Sequence, residues 1–462
     1  MINYKEAYMK NEDKIKNNSK RGLSMINSDA AGIDIGSREH YVCVPADRDE
    51  KNIIAFKTFT SDLKKMAAWL KKCGIKTIAM ESTGVYWVPV FQVLETSGFE
   101  VILVNARHVK NVPGRKTDVK DAQWIQQLHS YGLLSASFRP EDQICELRAL
   151  TRQRDRLTKS ASTHVNRMQK TLNEMNIQLH HVISDIAGVT GMNIIKAIIN
   201  GERDPIKLAQ FRNVNVKSDE NTIIKALGGD WRKEHLIVLK QELEIYEFYQ
   251  KQISECDVAI ESCYKEFDKH SNGDLTTGKK QRKNKNSPQF DLQQSLYDAA
   301  GVDFTTIPGL SELTVQTIVS EVGLDMDKWK TEQHFASWLG FSPTNKTTGG
   351  KVFDTRTRKV KNKASTAFRM AALNLGRGKT AIAAFYRRMK GRLGTPKAIT
   401  ATARKLACMF YRLLKYGHEY VERGIEAYEK KYKETMVANL QKQAIRLGLS
   451  VVKTESSVKA LC

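Results

Sequence analysis

The sequence predicts an α/β N-terminal domain, a long α-helical spacer and a mostly α-helical, strongly basic C-terminal domain. Three observations carry that reading. Residues 30 to 105 alternate short apolar runs with amphipathic stretches, the period changes to that of long helices from about Glu141, and beyond about Leu296 shorter helices are interleaved with Lys and Arg. A chain of 462 residues is too long for one ordinary core and implies roughly two to four domains. With 41% hydrophobic and 27% charged residues, wholesale disorder is excluded.

Residues 1–29 are expected to form a flexible basic tail. Met1 to Ser28 is rich in Lys and Asn and lacks the apolar segment of a signal peptide, so a cytoplasmic protein is expected. No run approaches the roughly 20 apolar residues of a membrane span, which removes the membrane as a partner. The seven cysteines include no C-x-x-C pair and no His at zinc spacing, so neither a disulfide framework nor a structural zinc site is expected.

Within residues 30–140, Ala31 to Gly36, Tyr41 to Val44 and Ile53 to Phe56 read as three short strands. Ser61 is the expected cap of a helix whose Leu63, Met66, Ala67 and Leu70 follow the i, i+3, i+4, i+7 spacing of a buried face. Lys76 to Glu81 is the next strand, Val88 to Leu94 a short helix and Val101 to Val104 another strand. Three strands, helix, strand, helix, strand is the order of an RNase H-like domain.

Residues 141–265 form the helical spacer. Leu157, Ala161, Val165, Met168, Leu172 and Met175 step by threes and fours, as do Leu236, Leu239, Leu243, Tyr246, Gln250 and Ile253. Two such seams predict a coiled coil, made within the chain or with a second copy. A basic, Gly/Ser/Asn-rich linker covers 266–295, the last folded domain 296–430 and a tail 431–462. In that domain Ile307-Pro308-Gly309-Leu310-Ser311 opens a helix through Val322, Phe335 to Leu339 is a short helix, and Gly340 to Asn362 is a loop or hairpin suited to exposed chemistry.

The net charge of +23 is unevenly placed. From Lys351 to Lys405 there are sixteen Lys/Arg against one acid, Asp354, a net of +15, with Phe353, Phe368, Phe385 and Tyr386 interleaved. A folded basic surface of this kind points to a polyanion partner.

Four carboxylates are the candidate chemistry. Asp34 interrupts an apolar strand, where a charge is expensive unless it has a partner or a metal. Glu81 ends the fourth strand, at the same sheet edge on this strand order. Asp118 and Asp121 lie three apart in an expected helix and share a face. Converging carboxylates repel one another, and hard divalent cations, usually Mg2+, resolve that repulsion. Two such ions can clamp a phosphodiester and activate the attacking oxygen. Taken singly, each residue also fits an ordinary turn, cap or first-turn helix role.

Gly32-Ile33-Asp34-Ile35-Gly36, Met80-Glu81-Ser82-Thr83-Gly84-Val85-Tyr86-Trp87 and Lys116-Thr117-Asp118-Val119-Lys120-Asp121-Ala122 resemble the motifs of the DEDD transposases of the IS110 family. The likeness continues through Ile307-Pro308-Gly309, Trp338-Leu339-Gly340-Phe341-Ser342-Pro343, Gly349-Gly350-Lys351 and Thr395-Pro396-Lys397-Ala398-Ile399-Thr400, in order from residue 30 to about 420. The resemblance implies an insertion-sequence recombinase of a bacterium or archaeon, associated with the nucleoid, in which a RuvC-like domain, a coiled coil and a transposase domain follow one another. It further implies that Asp34, Glu81, Asp118 and Asp121 hold Mg2+ and that a hydroxyl in the C-terminal domain attacks the DNA phosphate to form a covalent intermediate. Expected partners are double-stranded DNA, at the element ends and the target, and a structured non-coding guide RNA. The expected assembly is a homo-oligomer, a dimer or tetramer, in which acids from one subunit and the hydroxyl from another act together.

One position departs from the pattern. Where the family places its serine, immediately before Gly-Gly-Lys, this chain has Thr348. Threonine keeps the hydroxyl, but its β-branched carbon restricts χ1 and crowds the attacking oxygen, which leaves open a slower nucleophile or an inactive copy. Lys351, Arg356, Arg358, Lys359, Lys361, Lys363 and Arg369 follow closely enough to grip the phosphodiester. The helix opened at Gly309-Leu310-Ser311 offers N–H groups to another phosphate. Two other readings compete: a Mg2+-dependent nuclease with water as nucleophile, and a nucleic-acid-binding relative without catalytic activity.

Overall fold

The structure, a computed structural model, describes residues 24–82, 84–104, 118–271, 273, 275, 285–417 and 434–451. Most of the expected N-terminal tail and of the basic run 279–286 therefore lies outside the described residues, whereas 434–446 of the expected C-terminal tail are helical. The chain divides into two compact units, Met1–Arg139 and Pro140–Cys462.

The first unit contains β1 (Ala30–Ile35), β2 (Glu39–Cys43), β3 (Ile53–Lys57), α1 (Thr60–Lys72), β4 (Thr77–Glu81), α2 (Trp87–Thr96), β5 (Glu100–Val104) and α3 (Asp118–Ser130). Its five strands form one sheet in the order β3-β2-β1-β4-β5. The first three are antiparallel neighbours, and β4 and β5 run parallel to β1. Alternation along each strand decides what lies on each face. Ile33, Ile35, Val42, Ile78 and Met80 pack against Leu63, Met66 and Leu70 of α1 and Val90, Phe91 and Leu94 of α2. On the opposite face Ala79 and Val104 pack with Ile125 of α3.

Ser61 is not the cap of α1. Phe59 holds that position, and its carbonyl accepts the N–H groups of Asp62 and Leu63, so the helix starts ahead of the serine.

The second unit opens with α4 (Asp142–Glu174), followed by the short α5 (Leu179–Val182), α6 (Val189–Ile199), α7 (Pro205–Ala209), α8 (Glu220–Leu227) and α9 (Lys233–Lys265). Helices α4 and α9 pack side by side in antiparallel sense. Arg154 pairs with Asp257, His164 and Arg167 meet Glu242, and Glu174 meets His235, so the sequence numbers rise on one helix as they fall on the other. Ala161, Met168, Leu172, Leu239, Leu243, Tyr246 and Ile253 are buried along the seam, together with residues of α6 and α8. The long helices thus find each other within one chain.

After α9 come α10 (Leu292–Ala300), α11 (Glu312–Val322), α12 (Glu332–Trp338), the hairpin β6 (Lys346–Thr348) and β7 (Lys351–Asp354), then α13 (Lys363–Asn374), α14 (Ala381–Leu393) and α15 (Thr395–Tyr416). Arg148 of α4 donates to the carbonyls of Ser320 (3.1 Å) and Glu321 (2.7 Å), and Arg152 donates twice to the Glu321 carboxylate at 2.8 Å. Those bonds satisfy the carbonyl end of α11 with positive charge, where the helix dipole favours it. An aromatic core of Phe304, Phe335, Phe368, Phe410 and Tyr411 holds the last helices together, with Phe304 and Phe410 stacked at 4.7 Å between ring centroids. Among the described residues no helix is long and apolar enough to cross a membrane, and Cys43, Cys73, Cys145, Cys256, Cys263 and Cys408 are free thiols.

Candidate active site and nucleic-acid interface

Register places two of the acids. Ile33 pairs with Met80 in the parallel ladder, so the next residues along, Asp34 and Glu81, stand on adjacent strands about 5 Å apart at the C-terminal edge of the sheet. Both lie on the α3 side, because Gly32, two residues before Asp34, faces α3 so closely that a Cβ there would sit 2.3 Å from the Gln126 backbone nitrogen and 2.5 Å from the Ala122 carbonyl oxygen. Asp34, Glu81 and Asp121 are half-buried, and each has interactions of its own.

The course of α3 brings its first turn to that edge. His129, near its C-terminal end, shares a 2.9 Å hydrogen bond with Thr77 at the start of β4, and Gln126 Nε2 donates to the Ala30 carbonyl at the start of β1. Burial, opposed by Glu100, lowers the pKa of His129. The helix therefore runs opposite to β1 and β4, so positions 118 and 121 lie toward the ends of the strands that carry Asp34 and Glu81. The Asp118 side chain and residues 105–117 lie outside the described residues. Among the described residues no three His, Cys, Asp or Glu side chains are grouped closely enough to hold a metal ion. In donor chemistry, Asp34, Glu81 and Asp121 are carboxylate oxygens, the class that hard divalent cations take.

In the second unit Thr348 is exposed at the tip of the β6–β7 hairpin and pairs with Lys351 across Gly349-Gly350. Both glycines have positive φ, 56° and 76°, as a two-residue hairpin turn of the primed kind requires. The glycines therefore have a backbone role, and they set the threonine at the very end of a strand.

The seven cations proposed from sequence divide into groups. Lys351, Lys359 and Lys361 are exposed. Arg356 is exposed but donates to Asp354 at 3.0 Å, and Arg358 donates to the Ser337 carbonyl at 3.3 Å. Lys363 bonds Asp155 of α4 at 3.0 Å. Arg369 lies over the Phe341 ring at 5.3 Å and donates to the Gly340 carbonyl at 3.5 Å. Lys363 and Arg369 thus help to hold the fold around the hairpin. At the start of α11, the N–H of Thr314 is already taken by the Ser311 hydroxyl.

Sequence reasoning passed over a second set of cations. A cleft of about 1270 Å3 is lined by Arg356 and Lys359 and also by Lys397, Arg404, Lys405 and Arg412 of α15. The last four are spaced i, i+7, i+8, i+15, a single helix face, and that periodicity was the available signal. Arg412 is paired with Glu332, and Lys405 lies 4.6 Å over the ring of Phe385. Burial, reinforced by Arg388 and Arg412 and opposed by Cys408, pushes Lys405 down to about 8.

One unit carries an acidic sheet edge and the other an exposed hydroxyl followed by a basic surface, an arrangement compatible with a DNA-rearranging enzyme. Two family models match the chain, one described as a transposase over residues 31–177 and one as a transposase of the IS116/IS110/IS902 family over residues 303–387. The chain belongs to the IS110 family of transposases. No curated protein matches it.

Proposed function

We propose that this transposase cleaves and rejoins DNA with the Thr348 hydroxyl as nucleophile and an RNase H-like, RuvC-like N-terminal domain as its metal-binding half. The observation that carries the reading is the register that sets Asp34 beside Glu81, on the face covered by the helix that bears Asp118 and Asp121. Strand order β3-β2-β1-β4-β5 with three antiparallel and two parallel members supports the RNase H-like assignment. Mg2+ held by Asp34, Glu81, Asp118 and Asp121 would supply Lewis-acid polarisation of the phosphodiester. Thr348 loses its proton as its oxygen bonds to phosphorus, and the 3′ oxygen or 5′ oxygen of the cut strand leaves; rejoining reverses the exchange with a new DNA hydroxyl. Lys351, Lys359 and Lys361 neutralise the flanking phosphates and position the strand without reading its bases.

Sequence choice is assigned to a structured non-coding RNA that pairs with element ends and target. The cytoplasm is the expected compartment. A dimer or tetramer is the expected working form, supported by Ile245, Phe248 and Val258, apolar residues left exposed on α9. Recombination of a plasmid carrying both element ends tests the proposal. It should proceed with the chain and its flanking non-coding DNA and cease with Asp34→Asn or when that flanking segment is deleted. Free DNA ends without rejoining would instead favour the hydrolytic nuclease.

A further inference from the structure

We propose that the cleft between α14 and α15 is a binding site for an unpaired stretch of nucleic acid, its bases packed on the apolar wall and its phosphates held by the cations of α15. The inference deepens the transposase reading and rests on it only in taking the partner to be nucleic acid.

Size is the first argument. At about 1270 Å3 the cleft exceeds the roughly 300–1,000 Å3 of ordinary small-molecule pockets and suits more than one nucleotide. Its two kinds of wall are the second. Phe385, Leu393 and Met409 give an apolar surface, with Phe341 and Ile382 nearly buried beside them, while Lys397, Arg404 and Lys405 give a cationic one. A duplex keeps its base faces stacked inside and offers phosphates and groove edges, so it would leave the apolar wall unused; an unpaired strand presents both chemistries at once. Charge is the third. Six cations line the cleft against one carboxylate, Glu332, and that carboxylate is already paired with Arg412. Holding Lys405 half-buried beside Arg388 and Arg412 costs the free protein stability, and an incoming phosphate would relieve that repulsion.

The test uses the full chain, at fixed salt, with fluorescein-labelled 12-nucleotide DNA and RNA strands of one sequence and the corresponding DNA duplex. Phe385→Ala should weaken single-strand binding about tenfold while duplex binding stays within twofold. Phe385→Leu, which keeps the packing volume without the ring, guards against misfolding and should give an intermediate loss with an unchanged melting temperature. Lys405→Met, which removes the charge lying over the Phe385 ring but keeps the ring, should reproduce the selective loss. Tighter RNA binding would assign the occupant to a guide, tighter DNA binding to a displaced strand, and either supports the site. Equal losses for strand and duplex, no loss in any variant, or competition by poly-glutamate as effective as by a DNA strand would overturn it. Strand joining by the same variants separates the two claims. If Thr348→Ala still joins DNA, the nucleophile assignment fails and the cleft stands; if joining needs Thr348 but single-strand binding ignores Phe385, the cleft alone fails.

Discussion

In the N-terminal unit Asp34 and Glu81 stand at the ends of neighbouring paired strands, and positions 118 and 121 lie on the helix that covers them. In the C-terminal unit the cations of the cleft come from the segment after the hairpin, Arg356 and Lys359, and from one face of α15, Lys397 to Arg412. Backbone hydrogen bonding fixes the first group, because a one-residue slip would turn every side chain to the other face. Side-chain packing fixes the second. The contrast suggests that the acid edge tolerates little change near its backbone, whereas the basic surface loses function in increments.

The largest effect should come from the acids themselves. Asp34→Asn or Glu81→Gln is expected to lower strand cleavage by about a thousandfold or more, with DNA binding within twofold, when labelled element ends are followed on denaturing gels. Equal loss of binding would mean that these residues hold the fold rather than the chemistry.

Next is the close approach that seats α3. Gly32→Ala places a methyl against backbone atoms of Gln126 and Ala122, so α3 must lift. Overpacking of this kind costs about 1–3 kcal/mol or more, and a lower melting temperature should accompany reduced cleavage. A substitution that leaves both unchanged would show that α3 does not position the site.

Lys405 gives an effect of opposite sign. Its folded-state pKa, pushed down to about 8, lies below the ordinary lysine value of 10.5. Between these values the unfolded chain binds more protons, so this residue's contribution to stability rises with pH and is poorest below about pH 8. Lys405→Met should therefore raise the melting temperature at pH 7 by a few degrees, an advantage that shrinks as pH rises through that window.

The smallest effects separate surface cations from structural ones. Lys361→Ala should reduce the salt dependence of DNA binding by about one phosphate contact and leave stability unchanged. Lys363→Ala loses its bond to Asp155, an exposed-to-half-buried pair, so a slight drop in stability of up to about 1 kcal/mol is expected with the salt slope unaltered.

Much of the N-terminal unit was legible in the sequence because its strands are short apolar runs bounded by turns, and every strand lies within two residues of its expected limits. Helix limits were less legible: a serine at a helix start resembles a cap whether or not the chain turns there, and Ser61 was misread for that reason. The seams of α4 and α9 announced long packed helices, but only tertiary structure shows Arg154 meeting Asp257 and hence which copy each seam faces. In the basic domain the total charge was plain, while its use was not. Phe368 and Tyr386, interleaved with the charges, are core residues, Phe353 is exposed and Phe385 lines the cleft. Arg369 and Lys363 look identical in sequence to cations that face solvent; their partners, the Phe341 ring and Asp155, come from elsewhere in the chain.

The proposed chemistry depends most on Thr348. Incubating the full chain with end-labelled element DNA in Mg2+, denaturing it and mapping the labelled peptide tests that assignment directly. A protein–DNA adduct on Thr348, absent from Thr348→Ala and more abundant in Thr348→Ser, is the predicted result. Free DNA ends carrying oxygen from solvent water, formed equally by Thr348→Ala, would contradict it.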